Sequence, residues 1–239
     1  MSRDATAAAA LVAAGAALGA GCVLLLNHSE RRRKLERNAE ALPPAYAQLA
    51  ADPAVRRVYM REWEEPAWRA AKGWQGTDYI HKPGGDGVVI LGQYLFRPES
   101  GELLGFVRFG VEAESHAGLC HGGAMCSVLD DFCGHCAFVN SDGPWSGATV
   151  QVNCKLLKPV AVGDVLQIVG RVAKREQRKL WISAELRAVD ANTPGGAGGA
   201  LYAELDGLSI AGVKLQKAEP EYLELRDRKW SKRAGMLCA

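Results

Sequence analysis

The stretch "HGGAMCSVLDDFCGHC", residues 121–136, decides the fold because it joins an apolar helical pattern to polar groups at fixed positions. One face at the 3.6-residue spacing of an α-helix carries Met125, Val128, Leu129, Phe132 and Cys136. The pattern predicts an amphipathic helix from about Gly122 to Val139, with its apolar stripe turned toward a core.

Strand patterns lie on both sides of this helix. They are rich in β-branched and aromatic residues, and the third places Val150, Val152 and Cys154 on one face. The predicted strands cover residues 87–96, 102–112, 147–157, 164–175, 179–189 and 200–213. Two strands, one helix and four strands predict an α+β domain at residues 85–215, in which an antiparallel sheet of about six strands buries one face against the helix.

Two adjacent acids lie on this helix. At 100° per residue, Asp130 and Asp131 fall on opposite flanks of the apolar stripe. Cys126 and Cys133 lie beside Asp130, while His135 lies one turn after Asp131 and can pair with it. Neither carboxylate points into the sheet, so each is solvated, paired or placed in a cleft. Two adjacent acids on a helix most often lie on a solvent-exposed face.

The start of the helix favours a chemical role for this stretch. Glycines at 122 and 123 allow another backbone or a ligand to approach, and the first amides of a helix carry partial positive charge that suits an oxyanion. A carboxylate follows two turns later. An oxyanion site and a carboxylate on one helix are suited to hydrolysis of an activated acyl group.

These residues resemble a known family. His-Gly-Gly-x6-Asp after a first hairpin is similar to the hotdog-fold acyl-CoA thioesterases of the phenylacetic-acid-pathway type. The similarity is greatest to the mitochondrial thioesterase-superfamily members that are carboxyl-terminal-modulator-protein-like. The matching stretches are "HGGAMCSVLDDFCG", "TVQVNCKLLKPV", "REQRKLWIS" and "ALYAEL", within about residues 85–215. The resemblance implies a hotdog fold, in which the sheet wraps around the long helix.

The resemblance also implies roles for single residues. Asp130 is the acid/base or nucleophilic carboxylate, the Gly123 amide polarises the thioester carbonyl, and His121 orders that turn. Thr149, reaching from the partner subunit, positions the water. The substrate-binding residues toward coenzyme A are Gly122, Lys155, Lys158, Arg178 and Lys179.

Oligomeric state and cofactor use follow from the same resemblance. It implies a homodimer or a dimer of dimers with the site across the subunit interface. It implies no cofactor other than coenzyme A as part of the acyl-CoA substrate, and no metal.

Three positions depart from the family pattern. Asp131 stands where a small or neutral residue is usual, and it either repels Asp130 and raises the pKa of that carboxyl or faces solvent. Lys155 replaces a frequent Asn, and the glycine-rich loop at 190–199 is longer than usual. None of these departures removes a catalytic group. What they bear on is the choice of substrate and the rate of the reaction.

The ending Cys-Gly-His-Cys raises two other hypotheses. A dithiol redox centre needs a thiol near a helix N-terminus, and Cys133 lies about eleven residues into this helix. A zinc site from Cys133, His135 and Cys136, with Cys120 or His121, lacks a clear second ligand pair. Packed, reduced thiols are the favoured interpretation, and seven scattered cysteines indicate a reducing compartment.

A third hypothesis, a hotdog hydratase, pairs Asp130 with His135.

The N-terminal segment differs in kind from the rest. Residues 5–26 carry no charge, and as a helix they would span about 33 Å. Residues 1–34 are therefore predicted to be a single-pass membrane anchor with a basic flank. A cleaved targeting peptide is the second alternative, and a secretory signal is the third, since Arg3 and Asp4 make a poor positive start for one. The anchor places the C-terminal body on the cytosolic or organelle-interior side, for instance in a mitochondrion.

Residues 35–84 are predicted to form a linker of short helices, and residues 216–239 a C-terminal tail. The formal net charge of +2 gives no reason to expect nucleic acid as a partner. The sequence thus predicts a hydrolase of fatty acyl-CoA, with a non-catalytic accessory subunit or acyl-CoA-binding protein of a membrane complex as the alternative.

Overall fold

The computed structural model describes residues 42–58, 66–71, 79–80, 86–141, 148–190, 195, 198–212 and 237–238. The predicted anchor, residues 1–34, lies outside the described residues. Most of the predicted tail, residues 216–239, also lies outside them. No helix in the described ranges is long and apolar enough to cross a membrane.

The long helix α3, Gly122–Asn140, confirms the helical prediction. Its apolar stripe is buried in the main core, and Phe132 and Val128 have no solvent exposure. The helix lies against strands from most of the sheet, so a single helix fills the concave face. Burial of this stripe follows from apolar side chains at helical spacing, which only a helix can present together on one side.

Ten of the eleven strands are β1 (Arg56–Val58), β2 (Val88–Ile90), β3 (Tyr94–Arg97), β4 (Glu102–Phe109), β5 (Glu114–His116), β6 (Leu119–Cys120), β7 (Ala148–Leu156), β8 (Val165–Glu176), β9 (Lys179–Ala188) and β10 (Leu201–Ile210). The eleventh, β11 (Leu237–Cys238), pairs with β1. The main sheet has the order β11-β1-β3-β4-β8-β9-β10-β7, with β2 also paired to β4. Every one of these pairings is antiparallel, as predicted. The sheet has nine described strands where about six were predicted, because residues 87–96 form two strands and because β1 and β11 lie outside the predicted set. An antiparallel sheet wrapped around one long helix is the hotdog arrangement.

The first predicted strand is wrong in one respect, because residues 87–96 do not form a single strand. The strand is interrupted at residues 91–93, and the two parts, β2 and β3, pair with opposite ends of β4. Gly92 takes the positive φ of 67° that this break needs, and the amide of Gln93 donates to the Tyr46 hydroxyl at 3.0 Å. The interruption of the strand therefore supplies the backbone donor that holds the Tyr46 hydroxyl.

The predicted linker is partly built into the domain. Helix α1, Pro44–Ala51, packs Tyr46 and Leu49 against the outer face of the sheet and forms a second apolar core there. Strand β1 extends the sheet beside β3. A further short helix, α2, spans Pro66–Ala71. Residues 42–58 thus cover the outer face of the sheet that a linker would leave to solvent.

A small hairpin precedes α3 and was not predicted. A 3-10 turn, Val111–Ala113, leads into β5 and β6, and the His121 amide donates to the Ala113 carbonyl at 2.7 Å. Its residues are mostly exposed, so no apolar alternation marks it in the sequence. The hairpin anchors the chain immediately before the helix begins.

Strand β7 carries a β-bulge that changes which side chains face the helix. Leu208 pairs with Gln151 and Ser209 pairs with Thr149, so Val150 is skipped and is 53% exposed. A bulge reverses the alternation of faces beyond it. Val152 and Cys154 pack on the core as predicted, but Val150 does not share their face; Thr149 takes that place.

Two glycine substitutions test the packing between helix and sheet. A Cβ added at Gly105 would lie 2.4 Å from the Tyr94 ring, so Gly105→Ala should lower the free energy of unfolding by about 1–3 kcal/mol. Gly134→Ala in α3 meets only Thr149 Oγ1 at 3.8 Å and should raise it by about 0.5–1 kcal/mol. Urea unfolding of both variants measures the difference. Equal effects of the two would contradict this packing.

Candidate active site

The first turn of α3 is capped by its own histidine. The N-cap residue is His121, whose Nδ1 accepts a hydrogen bond from the Gly123 amide at 2.8 Å. The Ala124 amide donates to the His121 carbonyl at 2.9 Å. An imidazole nitrogen accepts only when it is unprotonated. The cap therefore requires Nδ1 to be unprotonated.

This cap occupies the amide that the resemblance assigns to the thioester carbonyl. The His121 ring and Gly123 are both exposed, so a ligand oxygen can replace Nδ1 without opening the core. The amide of Gly122 is at the first helical position, where no acceptor exists within the helix. The turn can thus offer donors to an oxyanion once the imidazole moves aside.

The carboxylate of Asp130 lies two turns along the helix and is exposed. It is close enough to Cys133 and Cys154 to oppose their ionisation. Burial is the main reason why the pKa of each thiol is raised, and the nearby Asp130 charge adds to the effect. Asp130 thus borders a flank of α3 that is lined by thiols and open to solvent.

That flank faces strand β7, which runs antiparallel to the helix. A Cβ added at Gly122 would lie 2.7 Å from Leu156 Cδ1, and one at Gly134 would lie 3.8 Å from Thr149 Oγ1. Thr149 also lies near the Cys133 thiol, whose pKa it acts to lower. The chain's own Thr149 therefore lies beside the turn after Asp130.

Asp131, the second acid, lies on the opposite flank of α3, where Tyr94 and His135 contact its carboxylate. The Tyr94 hydroxyl donates to Asp131 Oδ2 at 2.7 Å, and His135 Nδ1 lies 3.4 Å from the same oxygen. His135 Nδ1 is also 2.9 Å from the Asp131 carbonyl oxygen, and its ring stands 4.7 Å from that of Tyr94. The predicted pairing of Asp131 with His135 is confirmed.

This arrangement explains why two adjacent acids differ. Tyr94 comes from β3 and was missed by sequence reasoning, because 37 positions separate it from Asp131 and no local pattern links them. His135 is only 3% exposed and lies on the Asp131 flank. The hydratase hypothesis needs His135 beside Asp130, and this geometry does not support it.

The Cys-Gly-His-Cys segment is part of the core. Cys133 and Cys136 have no solvent exposure, and burial raises the pKa of both thiols. Gly207 on β10 permits the close approach of Cys133, since a Cβ there would lie 2.6 Å from its Sγ. Within the part of the chain that the structure describes, no three His, Cys, Asp or Glu side chains are grouped to hold a metal ion. The segment packs the helix against the sheet.

The four predicted coenzyme A cations do not form one cluster. Arg178 and Lys179 lie at the hairpin between β8 and β9, and Lys179 pairs in register with Ile210. Lys155 lies opposite Glu204, six positions along β10, and its Nζ is 3.4 Å from that carboxylate. Six strand residues span about 20 Å. Lys158, which follows β7 and is exposed, lies near the Lys155 end.

A cleft of about 580 Å³ adjoins the hairpin pair. Its described lining comprises Glu176, Gln177, Arg178, Lys179 and Ile210. Arg178 Nη1 donates to the Gly212 carbonyl at 3.0 Å, which holds the guanidinium at the rim. This cleft has the positive charge that a phosphate needs, while Lys155 and Lys158 lie nearer the start of α3.

The geometry can now be compared with known proteins. Residues 117–194 match the thioesterase superfamily model. That segment contains α3, β7, β8 and β9, and thus the turn at His121, Asp130 and Thr149.

Two curated relatives are acyl-coenzyme A thioesterases named THEM4. The protein from Bos taurus is 36% identical over 104 residues, which cover 44% of this chain and 36% of the relative. The protein from Rattus norvegicus is 31% identical over 97 residues, which cover 41% and 40%. The matched part of this chain thus spans less than half the length of these relatives. The resemblance to hotdog-fold thioesterases is confirmed.

A solved structure with a similar fold is a putative thioesterase, a phenylacetic acid degradation-related protein from Ralstonia eutropha JMP134. It is 20% identical, covers 60% of this chain and 98% of its own, and has a TM-score of 0.45.

The tyrosine–aspartate bond gives a first test of this region. Tyr94→Phe removes only the hydroxyl that donates to Asp131 and should lower the free energy of unfolding by about 1–3 kcal/mol. Denaturant unfolding monitored by circular dichroism measures the loss. Tyr202→Phe on β10, a half-buried tyrosine, is the matched control. An effect of Tyr94→Phe no larger than that of the control would show that the bond contributes nothing.

Proposed function

We propose that this protein is an acyl-CoA thioesterase that hydrolyses fatty acyl-CoA to free fatty acid and coenzyme A. The observation that carries the proposal is one helix with donors at its capped start and an exposed carboxylate, Asp130, two turns later. The segment that contains them matches the thioesterase superfamily, and the curated relatives are named acyl-coenzyme A thioesterases.

The thioester carbonyl would bind at the start of α3. Its oxygen replaces His121 Nδ1 as the acceptor of the Gly123 amide, and the Gly122 amide is the second donor available there. Donors that are already oriented stabilise the negative charge that develops on this oxygen during attack. His121 holds the amide in place and is displaced as substrate enters.

Asp130 would supply the base. Its carboxylate takes a proton from water, whose oxygen attacks the carbonyl carbon, and the same proton then goes to the departing sulfur of coenzyme A. Thr149 is proposed to position the water. In the alternative route, Asp130 attacks the carbonyl carbon directly and the C–S bond breaks, which releases coenzyme A as its thiolate and leaves an anhydride that water then hydrolyses.

The spacing on the helix supports a site built from two copies. Seven positions separate Gly123 from Asp130, which is about 10 Å along the helix axis. One carbonyl group cannot contact both within a single chain. A homodimer that brings Gly123 of one copy to Asp130 of the other meets this requirement, in agreement with the resemblance.

Strand β7 offers a surface for such a dimer. Among the described strands it lies at the end of the sheet and has nine residues, so one row of its backbone groups has no partner strand there and can pair with another chain. Large apolar side chains along and after it, Val150, Leu156 and Leu157, are about half exposed. Pairing of β7 with the same strand of a second copy would cover this edge.

Coenzyme A phosphates are assigned to the basic residues at two places. Arg178 and Lys179 border the cleft near the end of β10, and Lys155 and Lys158 lie nearer the oxyanion turn. In a dimer, the two pairs of basic residues would contact different parts of one extended coenzyme A molecule or coenzyme A molecules bound to different copies.

Attachment to a membrane through residues 5–26 is proposed from the sequence.

Replacement of the carboxylate tests the activity. Asp130→Asn in the full chain should reduce hydrolysis of medium- and long-chain acyl-CoA by at least about 100-fold, because the amide cannot accept the proton from water. Free coenzyme A should be quantified by chromatography, since seven protein thiols interfere with thiol reagents.

Glu99→Gln, in an exposed turn, is the matched control and should hydrolyse at the wild-type rate. A wild-type chain inert across chain lengths yet able to bind acyl-CoA would favour the alternative, a non-catalytic acyl-CoA-binding or accessory subunit. Full activity of Asp130→Asn would remove Asp130 from the mechanism.

A charged substitution tests the dimer. Val150→Asp places a carboxylate on the β7 edge and should shift the chain from dimer to monomer and reduce hydrolysis, because each site then lacks one half. Light scattering coupled to gel filtration measures the mass. Ala173→Asp, exposed on interior strand β8, should remain a dimer. An active monomer of Val150→Asp would contradict the two-copy site.

A further inference from the structure

Two thiols face each other across the gap between α3 and β7. Cys126 lies four positions after Gly122 on one helix face, which is about 6 Å along the axis. Cys154 lies two positions before Leu156 on one strand face, which is about 7 Å along the strand. Because Leu156 contacts the helix at Gly122, the antiparallel alignment brings Cys126 and Cys154 to the same level.

The charge environment of Cys154 agrees with this alignment. After burial, the largest contribution to the raised pKa of the Cys154 thiol comes from Cys126, as expected for a neighbour across the gap. Both residues are half-buried and both are free thiols. Cys133 and Cys136, by contrast, have no solvent exposure. Among the cysteines whose burial the structure describes, Cys126 and Cys154 are thus at the same level across the gap and both partly accessible to solvent.

The pair lies within the proposed machinery and is not used by it. Gly122, Cys126 and Asp130 are spaced at four residues and form one stripe on the helix. A bond between the two sulfurs would draw them to about 2.05 Å, closer than any non-bonded contact. The first turns of α3 would then move toward β7, with Gly123 and Asp130 on either side of the bond.

We propose that Cys126 and Cys154 form a reversible disulfide that switches off the site on α3. The loss of activity rests on the function proposed above, whereas formation of the bond does not. The bond joins the helix to the edge strand, and its formation or reduction changes the position of Asp130 relative to the oxyanion turn of the second copy proposed above.

A low-molecular-weight disulfide supplies the oxidising equivalents. The Cys126 thiolate attacks one sulfur of this disulfide, forms a mixed disulfide and expels one thiolate. The Cys154 sulfur then loses its proton to solvent, attacks the Cys126 sulfur and expels the second thiolate. Two protein thiols are oxidised by two electrons, and the small disulfide is reduced to two thiols.

The order of attack follows from the environment of Cys154. Burial, together with the nearby Cys126 thiol, raises the pKa of Cys154, so this thiol ionises less readily than an exposed one. Only a thiolate attacks a disulfide. Cys154 is therefore assigned the second attack, and conversion of Cys126 to a mixed disulfide removes one of the groups that oppose ionisation of Cys154.

Peptide mapping tests the bond directly. The reduced full chain is incubated with oxidised glutathione and then cleaved before aspartates without reduction. Asp130 and Asp142 separate Cys126 from Cys154, and Cys133 and Cys136 fall on a third peptide. We expect a cross-linked pair of peptides that carries Cys126 and Cys154 and that disappears on reduction.

Two variants make the assignment unique. Cys120 shares a peptide with Cys126, so Cys120→Ser should still form the cross-link, while Cys126→Ser should not. A cross-link that involves Cys133 or Cys136 would overturn the proposal. So would a glutathione adduct on Cys126 that never proceeds to a cross-link in the wild-type chain, a result that needs no variant to fold.

Activity is measured on the same wild-type sample before oxidation, after oxidation and after reduction. Hydrolysis of acyl-CoA should fall by about tenfold or more with the cross-link and return on reduction, since small displacements of reacting groups cost large factors. A complete cross-link with unchanged hydrolysis would overturn the switch. An inactive reduced chain would contradict the proposed function alone, because the cross-link is read by mass.

Discussion

The close packing of α3 on the concave face of the sheet is the constraint on which the rest of the structure depends. Phe132, Cys133 and Cys136 are fully buried, and glycine at position 207 lets the helix come within contact of β10. A helix held this tightly cannot turn about its axis without exposing its apolar stripe, which costs about 25 cal/mol for each Å² returned to water. The rotation of the helix, and with it the direction of every flanking side chain, is set by this burial.

Because the rotation of α3 about its axis is fixed, Asp130 and Asp131, which are 100° apart around that axis, have different environments. Asp130 is directed to the solvent side near β7, whereas Asp131 reaches the hydroxyl of Tyr94 beneath the break between β2 and β3. The tyrosine in turn crosses Gly105, where no larger residue fits. The second acid thus holds the helix to the sheet on one flank while the first remains available on the other.

The antiparallel alignment of α3 with β7 connects the start of the helix with the chemistry further along it. Leu156 lies at the oxyanion turn, Cys154 at Cys126 and Thr149 at the turn after Asp130. A single bulge at Val150 brings Thr149 onto this side and exposes Val150 at the edge. One irregularity in the strand therefore serves both the proposed water-binding residue and the surface proposed for a second copy.

Sequence patterns were sufficient to predict the helix, its buried stripe, the strands after it, the pairing of Asp131 with His135 and the candidate residues His121, Gly123 and Asp130, because helical and strand periodicity and i to i+4 contacts are local. Tertiary packing was needed to establish the interruption at residues 91–93, the role of α1 on the outer face, the Tyr94 partner of Asp131, the inward turn of Thr149, the separation of the basic residues and the alignment of Cys126 with Cys154. Each of these depends on which distant segments the packing brings together, and on a one-residue shift in strand register that composition does not encode.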